Sequence, residues 1–309
     1  LITKLFIVIK RKQFMNKKNS IDFFGASLLI IFSILLGLNQ SLVKIVNLGM
    51  HPIFQVGIRS LVAAIPVIIF CLLFKKKLSI SDGSLVPGII CGSLFALEFV
   101  LLFFALELTS VSRSSILFYS MPVWLGICAH FLFEEEKLNI KKIIGFLISI
   151  AAVTIAMSSK ANISNGSVLG DIFALLASFL WATIILMVRM TNLKKSTPEM
   201  QLLYQLVVSA IIILPLTAYL GFGLRDITIS IMFIFLFQSL IIVAAGFLIW
   251  FWVLSIYPAS LMASYSFFGP IFGVFFGWLI FKEEISITII LSLLFVSIGI
   301  YLINSKNTN

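Results

Sequence analysis

Charge is scarce in this sequence. Of 309 residues only 11% are Asp, Glu, Lys or Arg, against roughly 25% in soluble domains, while 61% are apolar and the mean hydropathy is +1.17. That balance excludes a soluble globular domain, because too few polar side chains remain to cover its surface. Histidine is limited to His51 and His130, and the three cysteines, Cys71, Cys91 and Cys128, fall inside apolar runs without C-x-x-C spacing. With no grouping of thiols, imidazoles and carboxylates at metal-ligand spacing, neither a metal nor another cofactor is expected. The acidic residues number 12 against 22 basic ones. Those cations lie in short stretches between apolar runs and form no basic face interleaved with aromatics, which argues against nucleic acid as a partner. A G-x-x-x-x-G-K-[ST] phosphate loop is also missing, so ATP bound to this polypeptide is not expected to drive any process.

What the sequence has in abundance is apolar runs of membrane-spanning length. A helix needs about 20 apolar residues to cross a hydrocarbon layer about 30 Å thick. Ten segments qualify, at approximately 23–46, 52–74, 85–107, 111–133, 142–158, 169–190, 199–220, 229–253, 259–281 and 285–303. The first 22 residues carry Lys4, Lys10, Arg11, Lys12, Lys17 and Lys18, and their one apolar run, Leu5 to Ile9, is too short for a signal-peptide core. Met15 stands directly before this basic stretch ends, so a start at Met15 is expected, with residues 1–14 outside the fold. Cytoplasmic connections retain positive charge. Placing the N-terminus inside puts the N-terminal cations, Lys75, Lys76, Lys77, Lys137, Lys141, Lys142, Lys194, Lys195 and Lys306 in the cytoplasm, against Lys160, Arg225 and Lys282 outside. Both termini are therefore expected to be cytoplasmic, in an inner (plasma) membrane.

The chain also repeats itself. A shift of 148 positions superposes 103–158 on 251–306 without a gap, pairing Pro122 with Pro270, Glu135 with Glu283, Glu136 with Glu284, Phe133 with Phe281 and Ser112 with Ser260. Apolar matches are cheap in such a sequence, so the prolines and the acidic pairs carry the argument. Further upstream Lys44 falls opposite Arg189 and Pro52 opposite Pro198 at slightly shorter shifts. The predicted organisation is a cytoplasmic segment 1–22, a five-helix repeat 23–160 and a second 165–304. An odd number of spans per repeat makes the second enter from the opposite side. The fold class expected is thus an all-α integral membrane protein of ten transmembrane helices in two inverted five-helix repeats, an arrangement found in secondary transporters.

The stretches GLNQSLVKI (37–45), FFALELTSVSRSSILFYSMPVW (103–124) with EEEKL (134–138), and GPIFGVFFGWLIFKEE (269–284) resemble motifs of the EamA-type members of the drug/metabolite transporter superfamily. The resemblance runs over nearly the whole chain after Asp22, although Leu36 stands where a tryptophan often precedes the first-span glycine. It implies a ten-helix carrier with both termini inside that moves amino acids or similar metabolites. Two other readings stay open on the residues alone: an intramembrane lipid-modifying enzyme, and a receptor or scaffold that transports nothing. The first would need paired aspartates or a histidine dyad, and Asp22, Asp82, Asp171 and Asp226 are isolated from one another in sequence. The second leaves an inverted duplication without purpose.

A charged side chain within a span costs about 2.5–3.5 kcal/mol on insertion scales, so Lys44, Arg59, Glu98, Glu107 and Arg113 require a reason. All fall in the outer half of the first repeat, and the shift of 148 places Gly246, Ser255 and Leu261 opposite Glu98, Glu107 and Arg113. The second repeat evidently builds the scaffold without these charges, which favours a polar cavity or gate; the competing reading is a permanent ion-pair network, strongest for Glu107 and Arg113. Asn39, Gln40, Lys44, Arg59, Glu98, Arg113 and Tyr119 are the candidate substrate-binding or translocation residues, and Pro122 and Pro270 the candidate hinges. Gly269, Gly273 and Gly277 form a smooth helix face suited to packing. The acidic runs at 134–136 and 283–284 read as solvated helix ends. The partners implied are a small-molecule solute, the lipid bilayer and a coupling proton or ion.

The orientation is directly testable. Single cysteines placed near Lys76, Lys141 and Lys194 in a cysteine-free background should resist an impermeant thiol reagent in intact cells, and those near Lys160 and Arg225 should react. The reverse pattern inverts the topology.

Overall fold

The computed structural model describes residues 21–134, 139–158, 167–257, 262, 265 and 267–304. Residues 1–14, Glu135, Glu136, Lys160 and Ser260, on which several sequence expectations fall, lie outside the described residues. Those described are helical almost throughout: α1 (Phe23–Val46), α2 (Pro52–Leu73), α3 (Leu85–Leu108), α4 (Val111–Phe118), α5 (Met121–Leu132), α6 (Ile140–Ser158), α7 (Ser167–Met190), α8 (Pro198–Leu220), α9 (Ile229–Leu236), α10 (Gly246–Ile256), α11 (Phe268–Phe281) and α12 (Ile287–Asn304). A π-helical stretch, Phe237–Ala245, joins α9 to α10. Eight spans among the described residues are long and apolar enough to cross a membrane, counting α4 with α5, and α9 with the π-helical stretch and the start of α10; α11 and α12 are shorter apolar helices.

Local chemistry sets the helix ends. The Asp22 carboxylate accepts from Gly25 N at 2.9 Å and starts α1. Proline occupies the first turn of α2 and α8, where its missing N–H has no helical partner to lose. Thr197 and Thr228 cap α8 and α9 through their hydroxyls. Gly221 ends α8 in the left-handed region, at φ 70°.

Two sequence expectations are refined. The span at 111–133 is not one helix: it breaks at Tyr119–Ser120 and resumes as α5 with Pro122 in its first turn. Pro270 is likewise the third residue of α11. Both prolines start helices, whereas Pro66 and Pro215 sit inside continuous ones. The long eighth span holds the π-helical stretch, whose wider turns take up more residues per unit length.

Helices pack where side chains vanish. In hydrocarbon no hydrophobic force pulls helices together, so close contact depends on small residues. A Cβ on Gly273 would lie 2.1 Å from Ser115 Oγ, and one on Gly269 2.6 Å from a Tyr119 ring carbon, so α11 lies directly on α4. Gly37 lets α1 approach α11 at Phe272 in the same way. The pair α6 and α12 meets at Gly299, where a Cβ would stand 2.0 Å from Ser149 Oγ and 2.8 Å from the Gly145 carbonyl. Outward faces carry Ile65, Ile69, Leu72, Leu147 and Ile150, all exposed and suited to lipid.

Gly299→Leu should therefore lower thermal stability by the equivalent of about 1–3 kcal/mol of overpacking. Gly223→Ala, at a site with nothing within 4 Å, should leave the melting temperature unchanged, and a detergent melting curve of both compares them.

Candidate functional site

Polar atoms buried in an apolar layer have no water to fall back on, so each either finds a partner or marks a place that calls for an explanation. At one face of the bundle, here the distal face, the connection after α1 meets the one after α8. His51 N donates to the Gly223 carbonyl at 2.9 Å, Arg225 N to that of Gly49 at 2.8 Å, and Met50 forms an antiparallel bridge with Leu224. The Arg225 guanidinium reaches the Asn47 carbonyl and Glu107 Oε1, both at 2.9 Å. Glu107 thus pairs with Arg225, from the other half of the chain, and not with nearby Arg113. His51 stacks on Phe222 at 3.9 Å. Burial, then the adjacent Arg225, holds its imidazole below the ordinary histidine value, with Glu107 opposing. At the opposite face Lys76 pairs with Glu199 at 2.8 Å, and the Thr197 hydroxyl donates to the Lys77 carbonyl at 3.3 Å.

The tight turn between α3 and α4 gathers four elements. Lys44 Nζ, from the last turn of α1, donates to the Thr109 carbonyl at 2.5 Å and lies 5.6 Å from the centre of the Phe281 ring. The Thr109 hydroxyl donates to Asp171 Oδ1, on α7, at 2.9 Å. Arg113 donates through Nε to the same oxygen at 3.2 Å, pairs through Nη2 with Oδ2, and reaches the Met157 carbonyl at 3.1 Å. Both side chains of that ion pair are nearly inaccessible. Glu283, just past the end of α11, accepts from Val111 N at 2.7 Å, Ser112 N at 2.9 Å and Ser112 Oγ at 2.6 Å. Expected to be a solvated terminus, it is a partly buried cap on α4 instead; Glu284 beside it is exposed.

Deeper in the layer the bonding is incomplete. Arg59 lies about 10 Å along α2 from its distal end and Glu98 about 15 Å along α3 from its own, at 1.5 Å per residue. Both are buried. The Arg59 guanidinium lies over the rings of Phe99 and Phe103, at 4.4 and 4.6 Å. Arg59 and Glu98 sense each other electrostatically, yet among the described residues they form no ion pair and Arg59 Nη1 has no hydrogen-bond partner. One turn away on α2, both amide atoms of Gln55 are unpartnered, as are those of Gln238 in the π-helical stretch, which packs on α2. On α1, Gln40 Oε1 accepts from Ser115 Oγ at 2.7 Å, while Gln40 Nε2 and Asn39 Oδ1 have no partner. Tyr119 stands beside Gln40 and edge-on to Trp181.

The sequence-derived candidates thus divide. Arg59, Glu98, Asn39 and Gln40 sit in the layer of unfulfilled polar groups, with Tyr119 at its edge. Lys44 and Arg113 belong to the bonded turn at the distal face. Asp171, Glu283, Gln55 and Gln238 are not among the sequence-derived candidates. Removing charge from Asp171 takes away the carboxylate that answers both Nε and Nη2 of the buried Arg113, so Asp171→Asn should cost about 3 kcal/mol or more of stability. Thermal unfolding of the purified variant in detergent measures it, and an unchanged midpoint would show that the pair holds nothing.

With this geometry in place, comparison with known proteins is direct. The chain matches the EamA-like transporter family over residues 23–158 and again over 168–305. It is 26% identical over 262 residues to the uncharacterized transporter YoaV of Bacillus subtilis, covering 83% of this chain and 89% of that one. It is 24% identical over 288 residues to the uncharacterized transporter YvbV of the same organism, covering 91% and 92%. Protein PagO of Salmonella typhimurium is 33% identical over 135 residues, 43% of this chain and 44% of its own. A solved crystal structure superposes with a TM-score of 0.62 at 16% identity, over 90% of this chain and 95% of that one, a likeness of fold. The chain therefore belongs to the EamA-like transporter family and is a multi-pass membrane transporter.

Proposed function

We propose that the protein carries a small zwitterionic metabolite, such as an amino acid, by alternating access to a site between Arg59 and Glu98. The observation that carries this reading is a cation and a carboxylate buried in the same layer without bonding each other. Mutual attraction and the Phe99 and Phe103 rings soften the burial of these charges, yet hydrogen-bonding capacity is left for a third body: the guanidinium offers donors to a carboxylate and Glu98 offers acceptors to an ammonium. The free amides of Gln55, Gln238, Asn39 and Gln40 offer further donors and acceptors of the kind that fix a solute's orientation. Glu98 is also the group best situated to carry a coupling proton. Two successive family matches support two five-helix repeats, and an odd span count supports their inversion. Charge distribution supports a plasma-membrane orientation with both termini cytoplasmic, so that the distal face is external.

Transport in reconstituted liposomes tests the proposal. Glu98→Gln keeps size and hydrogen-bonding capacity and removes the charge, so initial flux of an amino acid that the wild type carries should fall about tenfold or more. Thermal stability should hold or rise, because no ion pair is broken. Wild-type flux in the variant would remove Glu98 from the site, and a collapse of stability would make it structural.

A further inference from the structure

We infer that Glu283 is the latch of the distal gate: its carboxylate holds the gate shut by capping the first turn of α4, and releases that turn when the gate opens. Three features carry the inference. Glu283 is 171 residues from Ser112 in sequence and belongs to the other family match, so its three hydrogen bonds join the two halves of the chain. The donors are the unsatisfied first-turn N–H groups of α4 plus one hydroxyl, an arrangement that favours an anion and grips it on both oxygens. The surface beneath is relieved to admit it: a Cβ on Gly277 would lie 2.6 Å from Glu283 Oε2 and 2.9 Å from Ser112 Oγ.

The setting is that of a contact built to come apart. Glu283 is only partly buried, unlike the enclosed pair that Asp171 makes with Arg113, the residue after Ser112. It follows the end of α11 at Lys282, whose backbone turns into the left-handed region at φ 54°. That reversal hangs the carboxylate off the helix end, where a small movement of α11 carries it away from α4. Lys44 lies within electrostatic reach of Glu283 while donating to the Thr109 carbonyl, so α1 is held to the same turn. Ser110 keeps its own cap, accepting from Arg113 N at 3.1 Å. When Glu283 leaves, α4 still has a terminus that stays helical, and only this one of the ties between the halves is lost. The gating role rests on the alternating-access reading above; the contact itself does not.

The test reads gate opening without requiring a substrate. In a cysteine-free background, Ser41→Cys places a thiol at a fully buried position in the distal half of α1, where the native Ser41 hydroxyl has no hydrogen-bond partner among the described residues. Its modification by an impermeant thiol reagent in intact cells is compared among otherwise native protein, Glu283→Gln, Gly277→Ala and Glu284→Gln. Loss of charge-assisted bonds present in one of two states shifts their ratio, so labelling should run about tenfold faster in Glu283→Gln. Gly277→Ala, which crowds the carboxylate without touching its charge, should accelerate it too, and should still report if Glu283→Gln fails to insert. Glu284→Gln should change nothing. Unchanged labelling in Glu283→Gln and Gly277→Ala, or equal acceleration in Glu284→Gln, overturns the latch. Accelerated labelling in a protein that shows no flux in liposomes would leave the latch standing and remove the transport reading alone.

Discussion

The buried pairing of Arg113 with Asp171 is the contact on which the distal half of the bundle depends. Two charges in hydrocarbon cost least when each answers the other and the remaining donors are used. Here they are: Thr109 and Arg113 together occupy the Asp171 carboxylate, and the Met157 carbonyl takes another guanidinium N–H. Because Thr109 ends α3 and Arg113 lies in the first turn of α4, the pair fixes the reversal between those helices against α7. Lys44 and Glu283 can then dock on peptide groups whose positions are already decided.

Against that saturated cluster the middle of the bundle is conspicuously underbonded. Among the described residues, the same chain that satisfies Asp171 several times over leaves Arg59 Nη1 and the amides of Gln55 and Gln238 without partners. Saturated and underbonded layers lie next to each other on the same helices. The π-helical stretch falls in the second layer, and wide turns of this kind often mark functional positions.

Much of the fold is legible in the residues alone. Apolar runs give some helices nearly to the residue, since α1 and α3 span 23–46 and 85–108 where the sequence predicts 23–46 and 85–107, while α11 begins at Phe268 where a span from 259 is predicted; length and hydropathy locate the runs, and not the breaks within them. Intramembrane charge points to Arg59 and Glu98 for the same reason. What the sequence hides is pairing. Asp171 falls near a span end, where solvation is the ordinary explanation, and nothing local connects it with an arginine 58 residues earlier; the topology, which puts both at one face, is the available signal. Glu283 is hidden the same way, although its place opposite Glu135 in the repeat marks it as more than a loop residue. Gln55 and Gln238, neutral and short of any motif, cannot be told in sequence from amides that bond a neighbouring helix.

The contact between Glu283 and α4 has one further property. Two of its three donors are main-chain amides, Val111 N and Ser112 N, and no substitution short of proline deletes them. Most of one side of the joint is therefore inherited with the helix itself, while the carboxylate that answers it depends on a single codon on the other side. A junction so constructed can be tuned or abolished in one mutational step and regained in one more.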